Sequence, residues 1–200
     1  MKNDIIIAGV GGQGIVSIAT VIGMAALKEG LYVKQAEVHG MSQRGGAVQS
    51  HMRISDKPVL SELITKGKGD LIISVEPMES LRYTPYLSEK GVIITNINPY
   101  KNINDYPSED DLTKAMEDLG ICYYLDADKI AKEIKSPRSS NIVILGAASL
   151  FIDLKYESLQ YAIKKIFERK GEKVVDVNLK ALDLGYEISL KAKYKFNRKI

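Results

Sequence analysis

Gly9-Val10-Gly11-Gly12-Gln13-Gly14 has the spacing G-x-G-x-x-G and stands between a β-branched run, Ile5-Ile6-Ile7-Ala8, and an apolar stretch. Glycines so placed let the backbone turn tightly and come close to a ligand. A helix that begins there offers free N–H groups and a positive dipole end to an anion. The same turn also serves simply to pack a helix against a strand, so the motif alone leaves ligand contact open. A nicotinamide dinucleotide asks for an acidic residue about 20 residues further on, at the end of the second strand. Glu37, 28 residues past Gly9, is the candidate, and its spacing fits poorly.

A second constellation runs Glu37-Val38-His39-Gly40-Met41-Ser42-Gln43-Arg44-Gly45-Gly46. Arg44 beside paired glycines has the make-up of an anion clamp, because guanidinium grips phosphate or carboxylate with two bonds. A surface salt bridge is the plainer role for it. His39 is a proton donor or a partner of Glu37 in one reading, and a satisfied structural histidine in the other. A loop this rich in Gly, Gln, His and Arg suits recognition better than simple connection. The loops after two later strands, starting Glu76-Pro77-Met78-Glu79 and Asn96-Ile97-Asn98-Pro99, should join the same edge and widen the interface. Glu76 and Glu79 could serve as acid/base groups, but a solvated helix N-terminus is the plainer role for them. Asn141 either caps a helix or binds across the edge. Cys122 lies in an expected buried strand and reads as inert packing.

These groups are positioned by alternating elements. Ile5 to Ala8 reads as a buried parallel strand, Ile15 to Lys28 as a helix stopped by Gly30, and Leu31 to Val38 as a second strand, together a βαβ unit. Ala47 to Ile54 alternates with period two, a strand with a mixed face. Asp70 to Val75, Gly91 to Thr95 and Ile121 to Leu125 are further strands. Helices are expected from Pro77 to about Leu87, from Ser108 (with Asp111 as a capping-box partner), from Ala127 to Ile134, and from Ser140 to Ile152. Tyr156, Leu159, Ile163, Ile166 and Phe167 share one helical face, and Val177, Ala181, Leu184 and Ile188 another. The fold class is therefore α/β: a Rossmann-like three-layer domain with a largely parallel sheet and a helical C-terminal part, one domain over residues 1–200. In a parallel sheet, loops that follow strands gather at one edge, so the two glycine-bearing loops should meet.

Composition excludes several classes. With 28 Lys+Arg against 25 Asp+Glu, the net charge of +3 does not predict nucleic-acid binding. The basic run Lys191, Lys193, Lys195, Arg198, Lys199 reads as a solvated tail. One cysteine excludes an internal disulfide and an all-Cys iron–sulfur cluster held by this chain alone. Two histidines, His39 and His51, make a self-contained zinc site improbable. The longest apolar stretch, Ile15 to Leu27, is too short to span a bilayer, and no signal peptide is legible, so no membrane association and a reducing cytoplasm are expected. No nucleophile–base pair stands out. An anion-friendly edge without a complete catalytic set favours a subunit over a self-sufficient enzyme.

Taken together, the two loops resemble the gamma-type domain of 2-oxoacid:ferredoxin oxidoreductases. The His-Gly-Met-Ser-Gln-Arg-Gly-Gly form is most similar to the small (beta) subunits of the indolepyruvate type. Asn141-Ile142-Val143-Ile144-Leu145-Gly146-Ala147 is similar to that family's Asn-apolar-Leu-Gly helix. The resemblance runs over nearly the whole chain. It implies a heteromeric enzyme whose large (alpha) subunit carries thiamine diphosphate and [4Fe-4S] clusters, decarboxylates an aryl pyruvate, reduces ferredoxin and delivers the acyl group to coenzyme A. It also implies that this chain by itself holds no cofactor, metal or catalytic residue. Gly9, Gly11, Gly12, Gln13, Gly14, His39, Gln43, Arg44 and Gly45 are then the candidate edge facing coenzyme A or the partner's active site. The alternatives are a stand-alone dinucleotide-binding module and a purely structural partner.

Overall fold

The computed structural model describes residues 1–39 and 45–196, with side chains for 1–38 and 45–192. Its six-stranded sheet has the order β2-β3-β1-β4-β5-β6, with β1 Lys2–Val10, β2 Tyr32–His39, β3 Ala47–Ser55, β4 Gly69–Ser74, β5 Leu87–Asn96 and β6 Cys122–Leu125. β1, β4, β5 and β6 run parallel, whereas β3 pairs antiparallel with both β1 and β2. The opening strand–helix–strand is thus a βαβ unit split by an inserted strand. Because β3 reverses direction on both sides, β1 and β2 still point the same way, and their following loops still reach one edge. The two-residue period of β3 fits this antiparallel place, while the continuous apolar run of β1 fits a strand buried on both faces.

Ile5 and Ile7 project into the larger core, and Ile6 and Ala8 into the smaller one. The larger core is closed by α1 (Ile15–Lys28), α4 (Ala127–Glu133), α5 (Ser140–Ala148), α6 (Tyr156–Phe167) and α7 (Glu172–Phe196). α1 buries Ile15, Ile18, Ala19, Val21, Ile22, Ala25 and Ala26, each large side chain contributing about 2 kcal/mol of transfer free energy. The opposite face is covered by α2 (Pro77–Arg82), α3 (Glu109–Asp118) and a tight turn at Thr84–Tyr86. Ser108 caps α3, its Oγ accepting from Asp111 N at 3.1 Å.

Two helices end earlier than their apolar runs suggest. α2 stops at Arg82, because Pro85 cannot continue a helix and biases the residue before it away from helical geometry. α5 gives way after Ala148 to a single 3-10 turn, Ser149–Phe151, with Ser149 Oγ donating to Gly146 O at 2.6 Å. Of the expected face of α7, Ala181 alone is buried and Val177 is half-buried. Asn178, Ala181, Leu182, Gly185 and Ser189 are buried, while Ile188 is exposed and Leu184 half-buried. Here α7 lies directly on α5, where small residues permit an approach that a large apolar stripe would prevent. Cys122 is half-buried on the edge strand β6 instead of deep in the sheet, and burial still pushes its thiol up to about 12. At neutral pH it is an inert thiol.

Candidate functional site: a rim of two glycine bends and a polar cleft

The turn after β1 is built by its own residues. Gln13 Oε1 accepts from Val10 N at 2.8 Å, and Gln13 N donates to Val10 O at 3.1 Å. The Gln13 carboxamide therefore shapes the bend. Gly14 takes the left-handed conformation (φ 83°) as the N-cap of α1. A Cβ on Gly14 would lie 2.4 Å from Asn141 Nδ2, and that same nitrogen donates to Gly14 O at 3.0 Å. Asn141 thus reaches across the edge and buttresses the turn from the start of α5.

The second glycine bend arrives at the same place. Gly11 N donates to Gly46 O at 2.8 Å, and Gly45 N to Gly11 O at 3.3 Å. The structure brings together Gly9, Gly11, Gly12, Gln13, Gly14 and Gly45 on one rim. Gln43 and Arg44 lie outside the described residues, as does the side chain of His39, whose backbone closes β2. Glu37 is half-buried one strand further out, where Gln35 Nε2 donates to it at 3.4 Å. The basic tail beyond Ala192 has no described side chains.

Several residues at the rim carry no sequence motif. Asn102 Nδ2, from the loop after β5, donates to Gly45 O at 2.8 Å. On the other side of the glycine turn opens a cleft of about 580 Å³, lined among others by Gly12, Gly14, Ser17, Arg138, Asn141 and Lys170. Among the described residues that line it none is acidic. The first turns of α1 and α5 carry no acidic residue and their N-caps no side-chain hydrogen bond. Two exposed cations and two uncapped helix starts make this cleft suited to anions. Arg138 had one weak cue, its place after Pro137 just ahead of a helix. Lys170, 156 residues from Gly14, had none.

Glu76 and Glu79 are not a solvated helix start: they are 0% and 1% exposed. Glu76 Oε2 caps α2 by accepting from Glu79 N at 2.7 Å. Its Oε1 accepts from Tyr100 N at 3.3 Å and from the Tyr106 hydroxyl. The dry interior leaves a carboxylate few options, and helix caps and hydroxyls are what it finds. Glu79 is less well served. Arg82 Nε stands 3.1 Å from its Oε2 as an ion pair, and among the described residues neither buried oxygen has a well-formed hydrogen bond. Burial raises its pKa, outweighing Arg82, with the Glu76 charge adding to the rise. An acid with a raised folded-state pKa contributes its full stability below the ordinary carboxylate range and loses it as pH climbs through the raised value. Glu79→Gln is therefore expected to raise the melting temperature at pH 7 to 8 and to leave it unchanged near pH 4. Thermal denaturation at both pH values checks this, and an equal shift at both would refute it.

Among the described residues no group of three or more His, Cys, Asp or Glu is arranged to hold a metal ion, and no helix is long and apolar enough to cross a membrane. The family description pyruvate ferredoxin/flavodoxin oxidoreductase matches residues 4–188. The chain belongs to this family. Among relatives, the indolepyruvate oxidoreductase subunit IorB of Pyrococcus horikoshii is 38% identical over 192 residues, covering 91% of this chain and 93% of that protein. The pyruvate/ketoisovalerate oxidoreductases common subunit gamma of Thermococcus kodakarensis is 34% identical, covering 82% and 87%. The fold also matches 2-oxoglutarate:ferredoxin oxidoreductase from Magnetococcus marinus, solved with 2-oxoglutarate, coenzyme A and succinyl-CoA bound. The TM-score is 0.75 at 23% identity, over 95% of this chain and 31% of that longer one. The same fold thus forms about a third of that longer polypeptide.

Proposed function

We propose that this chain is the small subunit of an indolepyruvate-type 2-oxoacid:ferredoxin oxidoreductase, and that its glycine rim seats the phosphates of coenzyme A against a large partner subunit. The observation that carries the reading is the direct hydrogen bonding of the two glycine bends, Gly11 to Gly45 and Gly46, beside a cleft whose described lining includes Arg138 and Lys170 and no acidic residue. Four relatives named as IorB subunits, at 34 to 38% identity, support the aryl-pyruvate branch. The partner would hold thiamine diphosphate and iron–sulfur clusters, which supply the carbanion and electron-transfer chemistry; ferredoxin takes the electrons.

This chain's own contribution is position and charge. Backbone N–H groups at the start of α1 and the guanidinium of Arg44 would offset the charge of the pyrophosphate, and the rim would hold the thiol arm's anchor while the acyl group is transferred. Replacing Arg44 by Ala is expected to raise the Michaelis constant for coenzyme A about tenfold, as loss of a charge-assisted contact implies, with assembly of the complex intact. Steady-state kinetics on the purified complex decide it; an unchanged constant removes Arg44 from the coenzyme A site. The class is tested by a tagged pull-down from anaerobic native extract, where a brown partner containing thiamine diphosphate is expected. Tight NAD(P) or FAD binding by the isolated chain would instead support the dinucleotide-module reading.

A further inference from the structure

The loop between β5 and α3 reaches the glycine rim, as its place after a parallel strand leads one to expect, although nothing in its Asn-rich sequence singles out Asn102. Asn102 Nδ2 donates to Gly45 O at 2.8 Å. Gly45 N in turn donates to Gly11 O, and Gly11 N to Gly46 O. The loop is itself anchored from below. The carboxyl of the fully buried Glu76 accepts from Tyr100 N at 3.3 Å and from the Tyr106 hydroxyl, one bond on each side of Asn102. A continuous chain of hydrogen bonds thus runs from the end of β4 through the 97–107 loop to the second glycine bend and on to the first.

Asn102 Oδ1 is buried and accepts no hydrogen bond among the described residues. Buried carbonyl oxygens are rarely left so. The side chain is committed to Gly45 through its nitrogen and presents a desolvated acceptor at the rim.

We propose that Asn102 is a positioning residue for coenzyme A. It holds the Gly45–Gly46 bend in register with the Gly11 turn, so that the two bends face the ligand's phosphates as one surface. This rests on the coenzyme A reading of the rim given above. The side chain acts through the backbone it holds, not by touching the reacting atoms. Without it, the second bend loses its one side-chain tether among the described residues, and its two bonds to Gly11 open more often. Binding then carries an added ordering penalty, which appears in the Michaelis constant and not in turnover.

The test uses the complex of this chain with its partner subunit. Asn102→Ala is expected to raise the Michaelis constant for coenzyme A about fivefold, the value of one hydrogen bond. The turnover number and the constant for the 2-oxoacid should stay within about twofold. Asn102→Asp, equal in shape but unable to donate when ionised, should match or exceed that effect. Amide hydrogen exchange supplies a readout independent of coenzyme A: peptides carrying Gly45 and Gly46 should exchange faster in Asn102→Ala. Unchanged exchange in those peptides overturns the proposal, and so does wild-type behaviour of Asn102→Asp. Arg44→Ala, run in parallel, separates the two levels. A shift for Arg44→Ala without one for Asn102→Ala overturns the role of Asn102 alone. If neither variant shifts the constant while exchange rises, the coenzyme A reading falls and takes this proposal with it.

Discussion

Alanine at Gly185 is expected to destabilise the protein by about 3 kcal/mol, a large effect for one added methyl group. The new Cβ would lie 2.0 Å from Val143 O and 2.9 Å from Ala147 N, both backbone atoms of α5. Backbone cannot swing aside as a side chain can, so the two helices must separate. The contact is reciprocal, since a Cβ on Gly146 would stand 2.1 Å from Leu182 O on α7. Gly23 supplies the control. It is also a helical glycine, but a Cβ there meets only Met52 Cε at 3.9 Å, ordinary contact. Gly23→Ala should therefore stabilise by up to about 1 kcal/mol through helix propensity. Urea unfolding reads both, as midpoint shifts of opposite sign with an unchanged slope. Equal shifts would show that the α5–α7 contact is looser than described.

Glu76→Ala is the second large effect, about 3 kcal/mol from loss of a buried multiple acceptor. Three donors lose their partner together: Glu79 N, Tyr100 N and the Tyr106 hydroxyl. Tyr106→Phe removes only one of these bonds and should destabilise by about 1 kcal/mol. Thermal denaturation of the two variants ranks them, and limited proteolysis should show the 97–107 loop cut sooner in Glu76→Ala. If Glu76→Ala is no more damaging than Tyr106→Phe, the carboxyl is not the hub that holds this loop. Because Asn102 belongs to the same loop, the variant should also weaken coenzyme A binding in the assembled enzyme.

Local signals read well where one interaction dominates. The boundaries of α1 follow from a glycine at each end, Gly14 in left-handed geometry and Gly30 beyond the last turn. Ser108 announces α3 because a hydroxyl cap needs only residues three apart. The convergence of the glycine bends is also legible in the sequence, although the place of β3 between β1 and β2 is not. The convergence holds because an inserted antiparallel strand preserves the relative direction of its two neighbours. The face of α7 was misjudged for a clear reason. Apolar periodicity detects the face richest in large side chains, whereas this helix buries Ala181, Gly185 and Ser189 beside Leu182, and Gly185 lets it meet another backbone.

Residue order alone settled the alternation of strands and helices, the glycine turn that opens α1, and the kinship of the two loops with one oxidoreductase family. All three rest on residues near one another in the chain, where covalent spacing does the positioning. Tertiary packing alone decided that Asn141 supports Gly14 and that Arg138 and Lys170 share a cleft with it. It likewise buried Glu76 and brought Asn102 to Gly45. The partners of Gly14 and Gly45 lie from 57 to 156 residues away from them, and those of Glu76 24 and 30 residues away. Nothing in either member's own neighbourhood sets their meeting: it follows from how the sheet orders its strands and how closely two helices approach.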